Sequence, residues 1–180
     1  MPGGRASFLG GLGRRPAKEV NPMRIVVVSD THRDFYDLRR LVEKHRTDAQ
    51  LFLHLGDGLD DLAQVEKLYP QCSFLGVRGN CDFGSSQPLA GCHTVQGARI
   101  FYTHGHLYSV KTELGGLLQA ARELDANVVL FGHTHQPLCT YREGVHLLNP
   151  GSLGYPGEQG RTYGIVDITP QGIACFLATL

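Results

Sequence analysis

The stretch Val128-Val129-Leu130-Phe131-Gly132-His133-Thr134-His135 joins a short apolar run to two histidines that lie two residues apart. The run has the length and the β-branched content of a buried strand, and the glycine allows the chain to turn where the strand ends. Imidazole side chains at a strand terminus are suitable ligands for a divalent transition metal. This segment therefore indicates a metal site at the edge of a sheet.

In four further segments, a carboxylate, amide or imidazole side chain lies at the end of an apolar run. They are Asp30-Thr31-His32, Gly56-Asp57, Gly79-Asn80-Cys81-Asp82 and Thr103-His104-Gly105-His106. The runs at 25–29, 51–55 and 100–103, which precede three of these segments, read as buried strands. Because residues at strand ends converge in open α/β sheets, we expect all five segments to gather at the same edge of one sheet.

Each segment also has an ordinary explanation when it is taken alone. Asp30 could cap the following helix while His32 is solvated, and Asp57 and Asn80 are common turn residues beside glycine. Against this, side chains two apart at an extended strand end share one side, so Asp30 and His32 could hold one ion together. Asp57 could serve two cations, one with each carboxylate oxygen. Because side chains alternate along a strand, His54 is expected on the face opposite that of Asp57. There we expect it to pack in the interior or to support the site.

The order of predicted elements is that of an α/β protein with one domain over 23–180. Helices are predicted at 34–46, at 60–68 with Asp60 or Asp61 as N-cap, and at 111–124. Hairpin turns are predicted at Gln96-Gly97, at Glu143-Gly144 and at 170–172. We therefore expect βαβ units first and antiparallel strands later, with helices outside two packed sheets. Residues 1–22 read as a glycine-rich N-terminal extension, either an upstream start before the natural domain or a short functional arm.

Composition narrows the classes of partner. Seventeen basic residues balance seventeen acidic residues, so no overall field favours a nucleic acid or an anionic membrane. A small anionic substrate is still compatible, because a bound metal supplies local positive charge. No apolar stretch approaches the roughly 20 residues that span a bilayer. The five cysteines form no C-x-x-C pair, which fits a reducing cytoplasm, and all except Cys81 are expected to be mostly small buried residues.

The order of the five segments resembles the calcineurin-like metallophosphoesterase superfamily. The short chain, the segment at 79–82 and Asn149-Pro150-Gly151-Ser152 are similar to its small prokaryotic phosphodiesterase branch. The resemblance covers Met23 to Leu180. It implies a four-layer α/β/β/α sandwich, in which two mixed sheets are flanked by helices and carry two divalent ions. Manganese is expected, with Fe, Co, Ni and Zn open as alternatives.

The resemblance also implies a ligand set for each ion. The first ion would be held by Asp30, His32, Asp57 and His135. The second would be held by Asp57, Asn80, His104 and His133, with Asp57 shared between the two. Asn149 would orient a metal-binding histidine through a hydrogen bond.

The implied reaction is hydrolysis of a phosphodiester by a hydroxide that the two ions share. The expected catalytic residues are Asn80, Cys81 and His106. Many relatives resemble a pattern with histidine where this chain has Cys81, and a thiol with a pKa of about 8.5 is a poorer acid at neutral pH. Cys81 either handles the leaving-group proton or lines the pocket, and His106, His32 or water are alternative donors. The departure favours substrates with good leaving groups.

Two alternative functions belong to different classes. One is a phosphomonoesterase that uses the same site. The other is a non-catalytic protein-binding scaffold, since the fold resembles that of a retromer subunit with a degraded metal site. The presence of Asp30, His32 and His135 together argues against the scaffold. The expected partner is a small phosphoester substrate, without nucleic acid or membrane, and self-association is left open.

Overall fold

The computed structural model describes residues 22–180. The predicted N-terminal extension, apart from Pro22, lies outside the described residues. The described chain forms ten strands and three helices in the following order: β1 (Met23–Val28), α1 (Phe35–His45), β2 (Leu51–His54), α2 (Leu59–Leu68), β3 (Phe74–Gly76), β4 (Ala90–Val95), β5 (Ala98–Thr103), α3 (Gly115–Glu123), β6 (Val128–Phe131), β7 (Leu138–Arg142), β8 (Val145–Asn149), β9 (Thr162–Thr169) and β10 (Gly172–Thr179). A short 3-10 helix, His106–Tyr108, follows β5.

The strands form two mixed sheets of five strands each. The first sheet has the order β10-β9-β1-β2-β3 and the second has the order β4-β5-β6-β8-β7. In the first sheet β1 pairs in parallel with β2, and β2 with β3. In the second sheet β6 pairs in parallel with both β5 and β8. The predicted architecture of two packed mixed sheets is therefore confirmed.

Alternation along β1 shows how the layers are held together. Ile25 and Val27 point into an apolar core shared with Ile100 and Leu130 of the second sheet. Their neighbours on β1 point the opposite way, into a second core that includes Leu41 of α1. A third core packs α3 against the outer face of the second sheet. Each sheet thus buries both faces, which yields four layers in the order α/β/β/α.

One expectation about the sheets is wrong. The strands at 25–29 and 51–55 belong to the first sheet, whereas those at 100–103 and 128–131 belong to the second. The five polar segments therefore do not share the edge of one sheet. An apolar run identifies a buried strand, but it carries no information about which sheet the strand joins.

The helices also differ from prediction in detail. α2 begins at Leu59 with Gly58 in the N-cap position, so neither Asp60 nor Asp61 caps it. α3 begins at Gly115, later than predicted, because the backbone N–H groups of Thr112 and Glu113 both donate to the Ser109 carbonyl in a turn. None of the three helices in the described chain combines the length and the apolar character that crossing a bilayer requires.

The hairpin predictions are confirmed. Gln96-Gly97 joins β4 to β5, and Glu143-Gly144 joins β7 to β8. Both pairs have positive φ at each residue, as a type I′ turn requires. The burial expected of the cysteines is wrong: Cys92 and Cys139 are exposed, because they lie on the edge strands β4 and β7. All five cysteines, which lie within the described range, are free thiols.

Candidate metal centre

The polar segments meet where the carboxyl ends of strands from both sheets approach one another. Asp30 follows β1, Asp57 follows β2 and Asn80 follows β3, all in the first sheet. His104 follows β5 and the pair at 133 and 135 follows β6, both in the second sheet. The structure therefore brings all seven predicted ligands to one place, although two sheets supply them.

The first group of donor atoms consists of Asp30, His32 and His135. His135 Nε2 lies 3.1 Å from Asp30 Oδ1, and His32 Nε2 lies 3.7 Å from the same oxygen. The two Nε2 atoms are 3.3 Å apart. All the donor atoms of this group fall within 4.8 Å of one another. Two imidazoles and a carboxylate facing one point form a set that fits a borderline divalent cation.

The second group consists of Asp57, Asn80, His104 and His133. His104 Nε2 lies 3.5 Å from Asp57 Oδ2, 3.1 Å from Asn80 Oδ1 and 3.1 Å from His133 Nδ1. The other ring nitrogen of His104, Nδ1, lies 2.8 Å from the Leu55 carbonyl oxygen and donates to it. In the neutral ring Nε2 then carries no proton, which leaves its lone pair directed at the group.

Asp57 connects the two groups. Its Oδ2 lies 4.0 Å from His32 Nε2 and 3.5 Å from His104 Nε2. The sequence suggested that each carboxylate oxygen would serve one cation, and the structure differs. Asp57 Oδ1 instead accepts a hydrogen bond of 2.7 Å from the Cys81 backbone N–H, so the same oxygen, Oδ2, faces both groups.

The loops that carry these side chains have a strained backbone. Six of the ten non-glycine residues with positive φ in the described chain lie in them, namely Asp30, His32, Arg33, Asp57, His133 and His135. Each such conformation costs about 1–3 kcal/mol and persists only where the surroundings enforce it. The side chains of Asp30 and His32 thus converge through left-handed turns, and the predicted extended strand end is wrong.

Glycines let the loops pass close to the donor atoms. A Cβ at Gly79 would lie 2.0 Å from Asp57 Oδ1, and one at Gly132 would lie 2.0 Å from Ser29 Oγ. Both distances are far shorter than any van der Waals contact. The glycine that precedes Asn80 and the glycine that precedes His133 are therefore required by close packing.

Asp82 is an important residue that the sequence reasoning missed. Its Oδ1 accepts from the backbone N–H groups of Gly58 and Leu59, each at 2.9 Å. Its Oδ2 accepts from those of Asp57 and Gly79, each at 2.7 Å. Burial raises the pKa of Asp82, but these four donors outweigh it and keep the pKa below its ordinary value. Two features pointed to Asp82: it lies close to Asn80 in the sequence, and helix α2 has no side-chain cap of its own.

His54 is buried and supports, through hydrogen bonds, the loops that carry the candidate ligands, as predicted. Its Nδ1 accepts from the Gly56 N–H at 3.1 Å, so its Nε2–H donates to Thr31 Oγ1 at 3.2 Å. The Thr31 hydroxyl in turn donates to Asp61 Oδ2 at 2.6 Å. Complete burial lowers the pKa of His54 to about 4, which keeps the ring neutral. This chain of bonds ties the loop after β1 to the loop after β2 and to α2.

Among the described residues, Asn149 makes no hydrogen bond to a candidate ligand histidine, so that expectation is wrong. Its amide donates to the Gly132 carbonyl and to Thr134 Oγ1, both at 3.0 Å. Because β8 pairs with β6, the end of β8 reaches Gly132 and Thr134 in the loop that follows β6, rather than the imidazoles of His133 and His135. Ser152 donates to the Asp30 carbonyl at 2.7 Å and holds the other loop in the same way.

The charges of the first group are mutually stabilising. Burial raises the pKa of Asp30, but hydrogen bonds from His135 and His32 hold it well below its ordinary range. The bond to Asp30 raises the pKa of His32, against the opposing effect of burial. In the second group, burial and the neighbouring His104 lower the pKa of His133 to about 4. Asp30 is therefore ionised and His133 neutral at pH 7, the states in which both bind cations.

Cys81 and His106 lie at the rim of the centre. The Cys81 sulfur belongs to a group with His32 and Asp57 whose donor atoms lie within 4.8 Å of one another. Burial and the Asp57 carboxylate raise the pKa of this thiol to about 11. The His106 ring lies 5.4 Å from that of His104, and its buried Nδ1 has no hydrogen-bond partner among the described residues.

Comparison with known proteins identifies the family. The sequence model for the calcineurin-like phosphoesterase superfamily domain matches residues 23–171. The chain belongs to this superfamily. A probable metallophosphoesterase of Bacillus subtilis, YsnB, is 31% identical over 135 residues, covering 74% of this chain and 77% of the relative. The phosphodiesterase YfcE of Escherichia coli is 29% identical over 168 residues, covering 81% and 88%.

Solved structures of the superfamily support the same fold. A predicted phosphoesterase from Streptococcus pneumoniae superposes with a TM-score of 0.73 at 24% identity, covering 88% of this chain and 99% of that one. Vacuolar protein sorting 29 from Cryptosporidium parvum also reaches 0.73, at 18% identity, covering 89% and 93%. The calcineurin-like phosphoesterases use divalent metals, and the donor groups of this chain fit that chemistry.

Proposed function

We propose that the protein is a phosphodiesterase whose centre holds two divalent cations, with manganese as the expected metal. The observation that carries the proposal is the position of Asp57 Oδ2 between two sets of nitrogen and oxygen donors. One set is Asp30, His32 and His135, and the other is Asn80, His104 and His133. A single shared carboxylate oxygen with imidazoles on both sides suits a pair of neighbouring cations.

The residues of the chain have separate tasks in this proposal. Two bound cations would supply an activated water and charge stabilisation for the phosphoryl oxygens. His104 and Asp57 position both sets, because their remaining atoms are fixed by the Leu55 carbonyl and the Cys81 N–H. His106, whose ring lies beside that of His104, would donate a hydrogen bond to a phosphoryl oxygen or to the departing oxygen.

Cys81 sets the preference for the leaving group. A thiol whose pKa is raised to about 11 stays protonated at neutral pH but releases its proton reluctantly. It is therefore a poor general acid for an alkoxide and a poor nucleophile. An aryl oxide departs with little protonation, so diesters with an aryl leaving group are the substrates that suit this site.

The donor set favours an enzyme over a protein-binding scaffold. Vacuolar protein sorting-associated protein 29 of Schizosaccharomyces pombe is 40% identical, but over 95 residues that cover 52% of this chain. A scaffold has no need for strained loops that collect seven donor side chains at one point. We further propose a reducing cytoplasmic location, which the five free thiols support.

The test compares bis(p-nitrophenyl) phosphate with p-nitrophenyl phosphate, using protein reconstituted with Mn²⁺. We expect the diester to be hydrolysed faster, and chelation to abolish the activity. His133→Ala should lose turnover, whereas His146→Ala on β8, outside the centre, should retain it. Faster turnover of the monoester would assign a phosphomonoesterase instead. Metal binding with no turnover of either ester would favour the scaffold.

A further inference from the structure

A cleft of about 810 Å³ opens from the metal centre toward α2. His32, Asp57 and Cys81 line its inner end, where a phosphate bound to the centre would lie. The far end is formed by the residues that follow Asp82 and by the first two turns of α2. A phosphodiester carries two organic groups, so one of them has this cleft as its path away from the phosphorus.

Two aromatic side chains, Tyr155 and Phe83, line the cleft. The Tyr155 ring lies 4.6 Å from the His32 ring and 5.7 Å from the His135 ring, and it is nearly parallel to the latter at 20°. Phe83 is 91% exposed although its neighbour Asp82 is anchored by four backbone hydrogen bonds. An exposed apolar ring that follows an anchored residue beside a polar centre contributes nothing to the core and offers a face for stacking.

The charges along the cleft are unsuited to a second phosphate. Asp60 and Glu66 line its outer part, and both are exposed on α2. Asp61 and Asp82 also face it but are engaged by hydrogen bonds. Among the lining residues within 22–180, Arg33 is the only lysine or arginine. An anionic group carried beyond the reacting phosphate would therefore meet a negative surface.

We infer that this cleft is a subsite for an uncharged aromatic group esterified to the phosphate. Phe83 and Tyr155 are its specificity-determining side chains, and Asp60 and Glu66 discriminate against substrates that carry further negative charge. The inference rests on the proposed phosphodiesterase function, for which it names the class of substrate: small aryl diesters rather than oligonucleotides or polyphosphates.

The test uses ligands that cannot be hydrolysed, so that binding is separated from chemistry. Dimethylphosphinate and methyl(phenyl)phosphinate are both monoanions and differ only by one ring. Their affinities for the manganese-loaded protein are measured by calorimetry. Stacking on one or two rings should make the phenyl ligand bind at least about fivefold more tightly.

The variants act on the ratio of these two affinities. Phe83→Ala and Tyr155→Ala should each reduce it about two- to tenfold, and Tyr155→Phe should retain it. Dimethylphosphinate corrects for any change in metal occupancy, because it lacks the ring but binds the same centre. Tyr141→Ala removes another exposed aromatic ring, on β7 outside the cleft, and should leave the ratio unchanged.

A third ligand, methyl(4-carboxyphenyl)phosphinate, carries an additional negative charge on the ring and tests the role of Asp60 and Glu66. The added carboxylate should weaken binding about two- to fivefold relative to the phenyl ligand, as expected for like charges roughly 8 Å apart that are separated mainly by water. The double variant Asp60→Asn with Glu66→Gln should remove that penalty. Equal binding of the phenyl and carboxyphenyl ligands to the unaltered protein would overturn this part.

The outcomes separate the subsite from the proposed function. An affinity ratio near one in the unaltered protein, or a ratio unmoved by Phe83→Ala and Tyr155→Ala, would overturn the subsite even if diesters are hydrolysed. A clear aromatic preference in a protein that hydrolyses no diester would overturn the proposed function and keep the subsite.

Discussion

His104 owes its role to the hydrogen bond on its far side. Because Nδ1 donates to the Leu55 carbonyl, Nε2 is left as the nitrogen that faces Asp57 and His133. A backbone group also orients Asp57. Its Oδ1 accepts a hydrogen bond from the Cys81 N–H, so Oδ2 is the oxygen that faces the centre. At the scale of single residues, backbone groups select which atom of each side chain is available to a cation.

The first prediction at this scale concerns position 81. Cys81→His should raise turnover of alkyl diesters relative to aryl diesters by about tenfold or more, because positioned general acids contribute roughly 10²–10⁴-fold. The gain should grow with the basicity of the departing oxygen. Kinetics on one alkyl and one aryl diester, with metal content measured in parallel, provide the check.

The matched control for this prediction is Cys92→His, which alters an exposed cysteine on β4 outside the centre. It should leave both rates unchanged. If position 81 only shapes the pocket, the imidazole should depress both substrates equally or reduce metal content. An unchanged alkyl-to-aryl ratio would show that this residue does not handle the leaving-group proton.

The second prediction concerns pH and the buried His54. Its pKa is about 4 in the folded protein against an ordinary value of 6.5, so the unfolded chain binds more protons between these values. The stability of the metal-free protein should therefore fall as the pH drops from 6.5 to 4, by about 3 kcal/mol from this group. His133 acts in the same direction. The raised pKa of His32 changes the stability only at pH values above 6.5, so it does not offset this loss.

Denaturant unfolding at several pH values measures this dependence. His54→Gln keeps an amide donor and acceptor but cannot titrate, so its stability should vary less between pH 6.5 and 4. His93→Gln on β4, which lies outside this hydrogen-bond chain, is the control and should follow the unaltered protein. If the free energy of unfolding of His54→Gln depended on pH as steeply as that of the unaltered protein, His54 would not be the group responsible.

At the scale of elements, Asp82 acts as the missing cap of α2. Its Oδ1 satisfies the N–H groups at the beginning of that helix, and its Oδ2 joins the loops after β2 and β3. One carboxylate thereby fixes the start of a helix and the loops that carry Asp57 and Asn80. Such contacts between distant segments are what hold strained loops in place.

The third prediction is that Asp82→Asn lowers the free energy of unfolding by about 1–3 kcal/mol, because an amide nitrogen replaces an acceptor facing N–H donors. Metal affinity should fall as well, since the loop carrying Asp57 loses its support. Asp60→Asn, in the exposed first turn of the same helix, should cost less than about 1 kcal/mol. Equal losses for the two variants, in denaturant unfolding, would argue against a capping role.

At the scale of the whole molecule, the candidate centre joins the two sheets. Asp30, His32, Asp57 and Asn80 come from the first sheet, whereas His104, His133 and His135 come from the second. Asp30 already links the sheets without a cation, because its Oδ2 accepts from the His133 N–H at 3.1 Å. A bound metal adds bonds across the same interface and should stabilise the packing of the sheets.

The fourth prediction follows from this arrangement. Chelation should lower the Tm by about 10–20 °C relative to protein held at a hundredfold excess of metal over its Kd, because each of two sites contributes about 2.7 kcal/mol. Readdition of Mn²⁺ should restore the Tm and bind close to two equivalents per chain by elemental analysis. His133→Ala should retain about one equivalent, and His146→Ala should retain both. Binding of no metal by the unaltered chain would reject the two-cation centre.

The strands, the hairpins and the candidate donor side chains could all be read from the amino-acid sequence alone. The alternation of apolar and polar residues, the apolar runs and turn residues such as Gln96-Gly97 are local properties. They can therefore be recognised before the fold is known. His133 and His135 could be recognised because a histidine pair after an apolar run has few other uses. Even the support role of His54 followed from its place on a buried strand.

How these parts combine depends on packing that no local sequence pattern encodes. The division of the strands between two sheets, the capping of α2 by Asp82 and the use of one Asp57 oxygen by both groups all depend on contacts between residues distant along the chain. The cleft between Phe83 and Tyr155 joins loops that are 72 positions apart in the sequence. Local patterns report which face of an element is buried, but the partner that buries it is set by packing across the whole chain.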